Sequence, residues 1–252
     1  MNRREYPSFK ENHARLQAVQ KPGKGAPLYS LIVNRPMGRV LAALAYKFGM
    51  KPDQVTLLSA ALTLTGICLI ALREPGITTA VAVTVALVLG YALDAADGQL
   101  ARLRGGGSLT GEWLDHVIDA FKVAALHLAV LIMLFRTGVS EEWLLIPLVF
   151  AVANVVEFFG MLLTDLLTRN AQLRLGRGAE SRSGGSRLMS ALKLPTDYGV
   201  LCLVFLLLAV PSAFLWAYTA LAIASAVYTV LALYVWYRRL RGVDAELTAH
   251  QA

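Results

Sequence analysis

Four aspartates lie close together in a stretch that is otherwise apolar enough to cross a membrane. Asp94 and Asp97 are three residues apart, and Asp115 and Asp119 are four apart. On a helix, each spacing puts both side chains on one face. Unpaired carboxylates near a bilayer cost roughly 2.5 kcal/mol or more each, so these four require a counter-charge. Carboxylate oxygens prefer hard cations, and the pattern therefore predicts a site for Mg²⁺ or Mn²⁺ with a bound phosphate.

The residues between the two pairs are mostly small. Gly98 and Ala101 lie one turn apart, Arg102 follows, and Gly111 precedes the second pair. Small side chains leave room for a ligand beside the backbone, and the planar guanidinium of Arg102 suits phosphate oxygens. A site for a phosphorylated ligand is our functional interpretation. Helix caps, loop residues or the proton path of a transporter are the alternatives.

The combined spacing D-x2-D-G-x2-A-R-x8-G-x3-D-x3-D resembles the signature of the CDP-alcohol phosphotransferase family. All eight positions match, namely Asp94, Asp97, Gly98, Ala101, Arg102, Gly111, Asp115 and Asp119. The resemblance implies an enzyme of phospholipid biosynthesis that transfers a substituted phosphate from a CDP-linked donor to an acceptor hydroxyl and releases CMP. It also implies two divalent cations, Mg²⁺ or Mn²⁺, and a homodimer.

The resemblance also implies a role for each position. The metal ligands would be Asp94, Asp97, Asp115 and Asp119, and Asp119 would in addition be the catalytic base. The residues binding the CDP moiety would be Gly98, Ala101, Arg102 and Gly111.

A second pattern, G-E-x-x-D-H-x-x-D, is similar to the corresponding segment of choline and ethanolamine phosphotransferases within the family. Its additional residues are Glu112 and His116, which we place with Lys122 on the acceptor side of the site. The structural alternative is a favourable charge at a helix start for Glu112 and a packed histidine for His116.

The donor and acceptor stay open at this stage. The donor implied by the resemblance is CDP-diacylglycerol or a CDP-alcohol, and the acceptor is an alcohol or a lipid. One alternative is transfer from a CDP-polar alcohol to a lipid hydroxyl, as aminoalcohol phosphotransferases do. An ion- or proton-coupled membrane transporter is the alternative from a different class.

The composition predicts an all-α integral membrane protein. Of 252 residues, 56% are hydrophobic, whereas soluble domains have about 45–50% apolar residues. The predicted domains are a basic N-terminal segment (1–52), a six-span phosphotransferase domain (53–240) and a tail (241–252). We expect an amphipathic helix at the membrane interface within 28–48. The six predicted transmembrane helices cover about 54–72, 77–100, 111–135, 142–168, 196–211 and 213–237.

Positive charge is distributed unevenly between the predicted loops. Residues 1–52 contain ten of the 24 Lys and Arg residues, whereas the loops on the opposite side contain only Arg73 and Arg136. The positive-inside rule therefore puts both termini and the aspartates at the cytoplasmic face, and we expect a multi-pass protein of a bacterial cytoplasmic membrane. Anionic lipids are the expected partner of the basic segment, rather than nucleic acid.

Several polar residues fall inside or beside the predicted spans. His127 and Asn154 are expected to pack or to form hydrogen bonds between helices. Glu157 is expected either to extend a polar cavity or to pair with a neighbouring helix. Asp53 is the expected N-cap of the first span.

Overall fold

The computed structural model describes Leu16, residues 27–177 and residues 196–251, and its regular elements in those ranges are helices. A short π-helical turn, Ser30–Asn34, leads into the first α-helix. The α-helices are α1 (Arg35–Lys47), α2 (Pro52–Leu72), α3 (Ile77–Leu103), α4 (Leu109–Arg136), α5 (Glu141–Arg174), α6 (Tyr198–Val204) and α7 (Pro211–Gln251). A 3₁₀ helix, Phe205–Ala209, continues α6.

Five of these helices, α2, α3, α4, α5 and α7, are long and apolar enough to cross a membrane. The prediction of an all-helical, multi-pass membrane protein agrees with this finding. The predicted fifth span is shorter than expected, because the apolar helical segment covers only Tyr198–Ala209. At roughly 1.5–2.0 Å per residue it is shorter than a hydrocarbon core of about 30 Å. Val210 then leaves the helical conformation before α7 begins at Pro211. Six spans therefore stay a prediction.

Two helices are longer than a membrane requires. The lengths of α5 and α7 are 34 and 41 residues, or roughly 50 and 60 Å at 1.5 Å per residue. Beyond the end of α5, Arg177 Nη1 contacts Glu246 Oε2 of α7 at 2.6 Å. The helix α7 also continues through most of the predicted tail.

Close packing of α2 on α3 relies on small residues. Ser59 Oγ donates a hydrogen bond to the Gly90 carbonyl at 2.8 Å. A Cβ atom added at Gly90 would collide with Thr63, and one added at Gly66 would lie 2.9 Å from a methyl of Leu87. Helices in membranes approach closely where such small side chains meet. The position of α3, and thus of its aspartates, is therefore fixed against α2.

The helix α1 lies against the aspartate end of α3. A Cβ atom at Gly38 would be 2.9 Å from the side-chain nitrogen of Gln99, which itself donates to the Arg35 carbonyl at 3.2 Å. Apolar side chains such as Val40 and Leu44 are exposed on α1. The helix lies within the predicted 28–48 segment, and its place at the membrane interface stays a prediction.

The start of α2 differs from the expected cap. The helix begins at Pro52, and Lys51 is the N-cap residue, so Asp53 lies in the first turn. Proline suits this first position because its missing N–H would have no partner there. At the N-cap, the Lys51 N–H donates a hydrogen bond to Gln54 Oε1 at 2.8 Å.

A buried polar chain joins α4, α5 and α7. His127 Nδ1 lies 2.6 Å from the Tyr218 hydroxyl, and His127 Nε2 lies 2.9 Å from the Asn154 amide nitrogen. Ser225 Oγ donates to Asn154 Oδ1 at 2.6 Å. The prediction of hydrogen bonds between helices for His127 and Asn154 is confirmed.

Candidate active site

The aspartate pairs lie at the facing ends of α3 and α4. A short turn containing Gly105 and Gly106 joins the helices, and both glycines have positive φ angles, 98° and 132°. Ser108 caps α4 by accepting a hydrogen bond from the Gly111 N–H at 3.0 Å. Such φ values favour glycine, which has no Cβ to clash with the backbone. The tight turn is what brings the two halves of the motif together.

Lys122 connects the two helices at this point. Its Nζ atom lies 2.5 Å from Asp94 Oδ1 on α3 and 3.1 Å from Asp119 Oδ1 on α4. The lysine side chain is 8% exposed, against 21% for Asp94 and 28% for Asp119. An ammonium in this position offsets part of the repulsion between the carboxylates. Sequence reasoning placed Lys122 on the acceptor side of the site but did not predict its contact with Asp94.

Asp97 is held by a residue of α2. Thr56 Oγ1 donates a hydrogen bond to Asp97 Oδ2 at 2.6 Å, and both side chains are buried. A charged acceptor makes such a bond stronger than one between neutral groups. The hydroxyl fixes one carboxylate oxygen and leaves the other to bind elsewhere.

Asp115, His116 and Asp119 form a group that could hold a metal ion. One ligand atom from each residue lies within 4.8 Å of the others. Carboxylate oxygens suit Mg²⁺ and Mn²⁺, whereas an imidazole nitrogen is more typical of ions such as Zn²⁺. The two carboxylates of this group therefore fit the predicted metal, and His116 was not among the predicted ligands.

Three of the predicted CDP-binding residues, Gly98, Ala101 and Arg102, follow Asp97 on α3, and the fourth, Gly111, lies in the first turn of α4. The space at Gly98 is open, because among the described residues an added Cβ would meet only the Arg102 guanidinium, at 3.6 Å. An added Cβ at Gly111 would be 3.2 Å from Asp53 Oδ1 and would crowd that carboxylate. Ala101 lies in the last turn of α3, where its carbonyl accepts a bond from the Gly106 N–H at 3.0 Å. Gly98 thus leaves the backbone open beside it, whereas the space at Gly111 is taken up by Ser108 and Asp53.

Glu112 and His116 face α5. Glu112 Oε1 lies 3.2 Å from Arg169 Nη1 and 3.9 Å from His116 Nε2. His116 Nδ1 is buried and makes no hydrogen bond to the described residues. The Phe158 ring packs edge-on against the imidazole, with 6.4 Å between centroids. Glu112 also lies in the first turn of α4, where a negative charge is favourable.

A cavity of about 320 Å³ opens beside Lys122 and the two aspartates that it contacts, Asp94 and Asp119. The motif aspartates among its described lining residues are Asp94 and Asp119. Asn154 and Glu157 of α5 also line this cavity, so Glu157 borders the cavity next to the site, which is related to one of its two predicted roles. Pockets of about 300 Å³ and larger accommodate small ligands. A ligand in this cavity would lie next to Asp119.

Asp197 was missed by sequence reasoning. Its buried carboxylate caps α6 by accepting a bond from the Gly199 N–H at 3.0 Å, and it accepts another from the Ser30 N–H at 3.2 Å. Burial raises the pKa of the neighbouring Tyr29 phenol, which therefore stays neutral beside this carboxylate. Asp197 also lines the cavity. An acidic residue just before an apolar helix was the available signal, since aspartate favours the N-cap.

The fold and the site together define a class: a multi-pass helical membrane protein with a carboxylate cluster where two spans meet. Residues 50–239 match the family CDP-alcohol phosphatidyltransferase. The match covers most of the 252 residues, and the chain belongs to this family. The family resemblance predicted from the eight motif residues is confirmed, and with it membership of a transferase family. A comparison with curated proteins finds no match.

Proposed function

We propose that this protein transfers a substituted phosphate from a CDP-linked donor to an acceptor hydroxyl and releases CMP. The observation that carries the proposal is the convergence of the motif on one point, where a single ammonium contacts both Asp94 and Asp119. Family membership supports a CDP-alcohol donor and an alcohol acceptor. Two divalent ions, Mg²⁺ or Mn²⁺, bound by Asp94, Asp97, Asp115 and Asp119, would neutralise the pyrophosphate and stabilise the leaving CMP.

The side chains around the reacting groups have separate roles in the proposed reaction. Asp119 borders the cavity and accepts the proton of the acceptor hydroxyl, whose oxygen bonds to the transferred phosphorus as the bond to CMP breaks. Thr56 keeps Asp97 oriented. Gly98, Ala101, Arg102 and Gly111 contact the CDP moiety, with the Arg102 guanidinium on phosphate oxygens.

The acceptor occupies the cavity beside Asp119. Lys122 is its one basic residue among the described lining, and that ammonium already contacts two carboxylates. A phosphorylated acceptor would lack a free cation there, so we favour an unphosphorylated alcohol as acceptor, with CDP-diacylglycerol as one candidate donor. Transfer from a CDP-aminoalcohol to a lipid hydroxyl is the second candidate, supported by Glu112 and His116 on α4.

The proposed setting is a bacterial cytoplasmic membrane. The site opens to the cytoplasmic face, where the basic N-terminal segment attracts anionic lipids, and the protein works as a homodimer in phospholipid synthesis.

The test is CMP release in liposomes with Mg²⁺ or Mn²⁺. CDP-diacylglycerol and CDP-alcohols are each supplied with a panel of soluble and lipid alcohols, and the matched control is Asp119→Asn. The proposal expects CMP and a new phosphodiester from at least one pair, with loss of both in the variant. Absence of CMP from every pair, together with no cytidine nucleotide binding, would contradict it and favour the transporter alternative.

A further inference from the structure

Lys122 is unusual because it is a buried cation among carboxylates that are predicted to bind other cations. Its side chain crosses from α4 to α3 and contacts Asp94 and Asp119 at 2.5 and 3.1 Å. These helices do not rely on each other for their main packing: both pack against α2, while α4 also packs on α5. The lysine bridge is therefore a polar link across a cleft between two separately supported helices.

We propose that Lys122 is a resident counter-cation of the aspartate site, whose ammonium a divalent ion must displace in order to bind Asp94 and Asp119. The inference rests on the proposed function only in taking these aspartates as metal ligands. Before metal binds, the ammonium compensates the charge of two carboxylates that would otherwise repel each other at low exposure. When metal binds, the same charge opposes it.

The geometry favours competition over simple coexistence. The ammonium contacts one carboxylate oxygen of Asp94 on α3 and one of Asp119 on α4, so it occupies the place between the two aspartates from which an ion could bind both. A divalent ion on these oxygens would stand within a few ångströms of the ammonium, where like charges repel strongly at low dielectric. Lys122 therefore lowers metal affinity and keeps the cleft assembled in its absence.

The experiment measures Mn²⁺ binding to the full-length protein in detergent, without any nucleotide, by following free Mn²⁺ in an electron paramagnetic resonance titration. Lys122→Met and Lys122→Gln remove the charge, and the glutamine amide keeps a hydrogen-bond donor in the cleft. Lys122→Arg keeps the charge. Lys47→Met, at an exposed lysine on α1, controls for the loss of one positive charge elsewhere.

We expect the two neutral variants to bind Mn²⁺ about tenfold or more tightly, equivalent to about 1.4 kcal/mol. Lys122→Arg and Lys47→Met should stay within about threefold of the unmodified protein. Unchanged or weaker Mn²⁺ binding by Lys122→Gln would overturn the proposal, and this variant decides the question if Lys122→Met fails to fold. Because no nucleotide is present, this result is independent of CMP release, which tests the transferase reaction itself.

Discussion

The hydrogen bond from Thr56 to Asp97 offers a sharp test of how the site is held, because neither partner is accessible to compensating water. The two side chains are 4% and 6% exposed, and the oxygen atoms are 2.6 Å apart. Thr56→Val keeps the shape of the side chain and removes only the donor. The carboxylate then loses a bond that, for a charged acceptor, contributes about 1.5–3 kcal/mol.

The expected effect follows from that energy. Since about 1.4 kcal/mol corresponds to a factor of ten, Thr56→Val should lower metal affinity or CMP release by ~10- to 100-fold. This range also agrees with the effect of removing residues that orient metal ligands. The short distance and the low exposure of both side chains place the expected loss toward the upper end of this range.

The assay compares Mn²⁺ affinity and CMP-release rate of Thr56→Val with those of Thr84→Val. Thr84 is also a buried threonine of a spanning helix, but its hydroxyl makes no hydrogen bond to the described residues. Its replacement should leave both quantities within about threefold of the unmodified protein. If Thr56→Val behaves like Thr84→Val, Asp97 does not depend on this hydroxyl and the reasoning fails.

Three further predictions concern catalysis, stability and topology. Asp119→Asn should retain nucleotide and at least one metal ion while lowering turnover by ~10² to 10⁴-fold, whereas Asp115→Asn should weaken Mn²⁺ binding more strongly in calorimetry; near-normal turnover of Asp119→Asn would remove this residue from the mechanism. Asp197→Ala should destabilise the protein by roughly 1–3 kcal/mol in denaturant unfolding, because buried N–H groups lose their acceptor, whereas Asp244→Ala at an exposed position should have little effect. A reporter fused after residue 252 should be accessible only from the cytoplasm, and labelling from outside would contradict the charge-based orientation.

The aspartate pairs show how much of the site could be predicted from the sequence. Spacings of three and four residues predicted one face of each helix, and both pairs do lie on helices that meet at a glycine turn. Local periodicity was sufficient because these relationships exist within single helices. The family signature predicted in addition that the two helix faces form one site, which helical periodicity alone does not predict.

Contacts between helices were the part that could not be predicted. Helical spacing placed Lys122 beside Asp119, but the approach of Asp94 depends on how α3 and α4 each pack on α2. The bond from Thr56 to Asp97 and that from the Ser30 N–H to Asp197 join residues 41 and 167 positions apart. The fifth segment was predicted at about 196–211 and lies at Tyr198–Ala209, but hydropathy averages over a window and does not detect that its second half is a 3₁₀ helix.

The groups that hold the site therefore come largely from outside its motif. Thr56 belongs to α2. Asp197 precedes α6, lines the cavity and accepts a hydrogen bond from the Ser30 N–H in the segment before α1. Carboxylates that repel one another cannot define their own positions, so neighbouring donors and a cation must do so. Lys122 supplies the cation between Asp94 and Asp119, and on our proposal a metal ion that binds both aspartates must take its place.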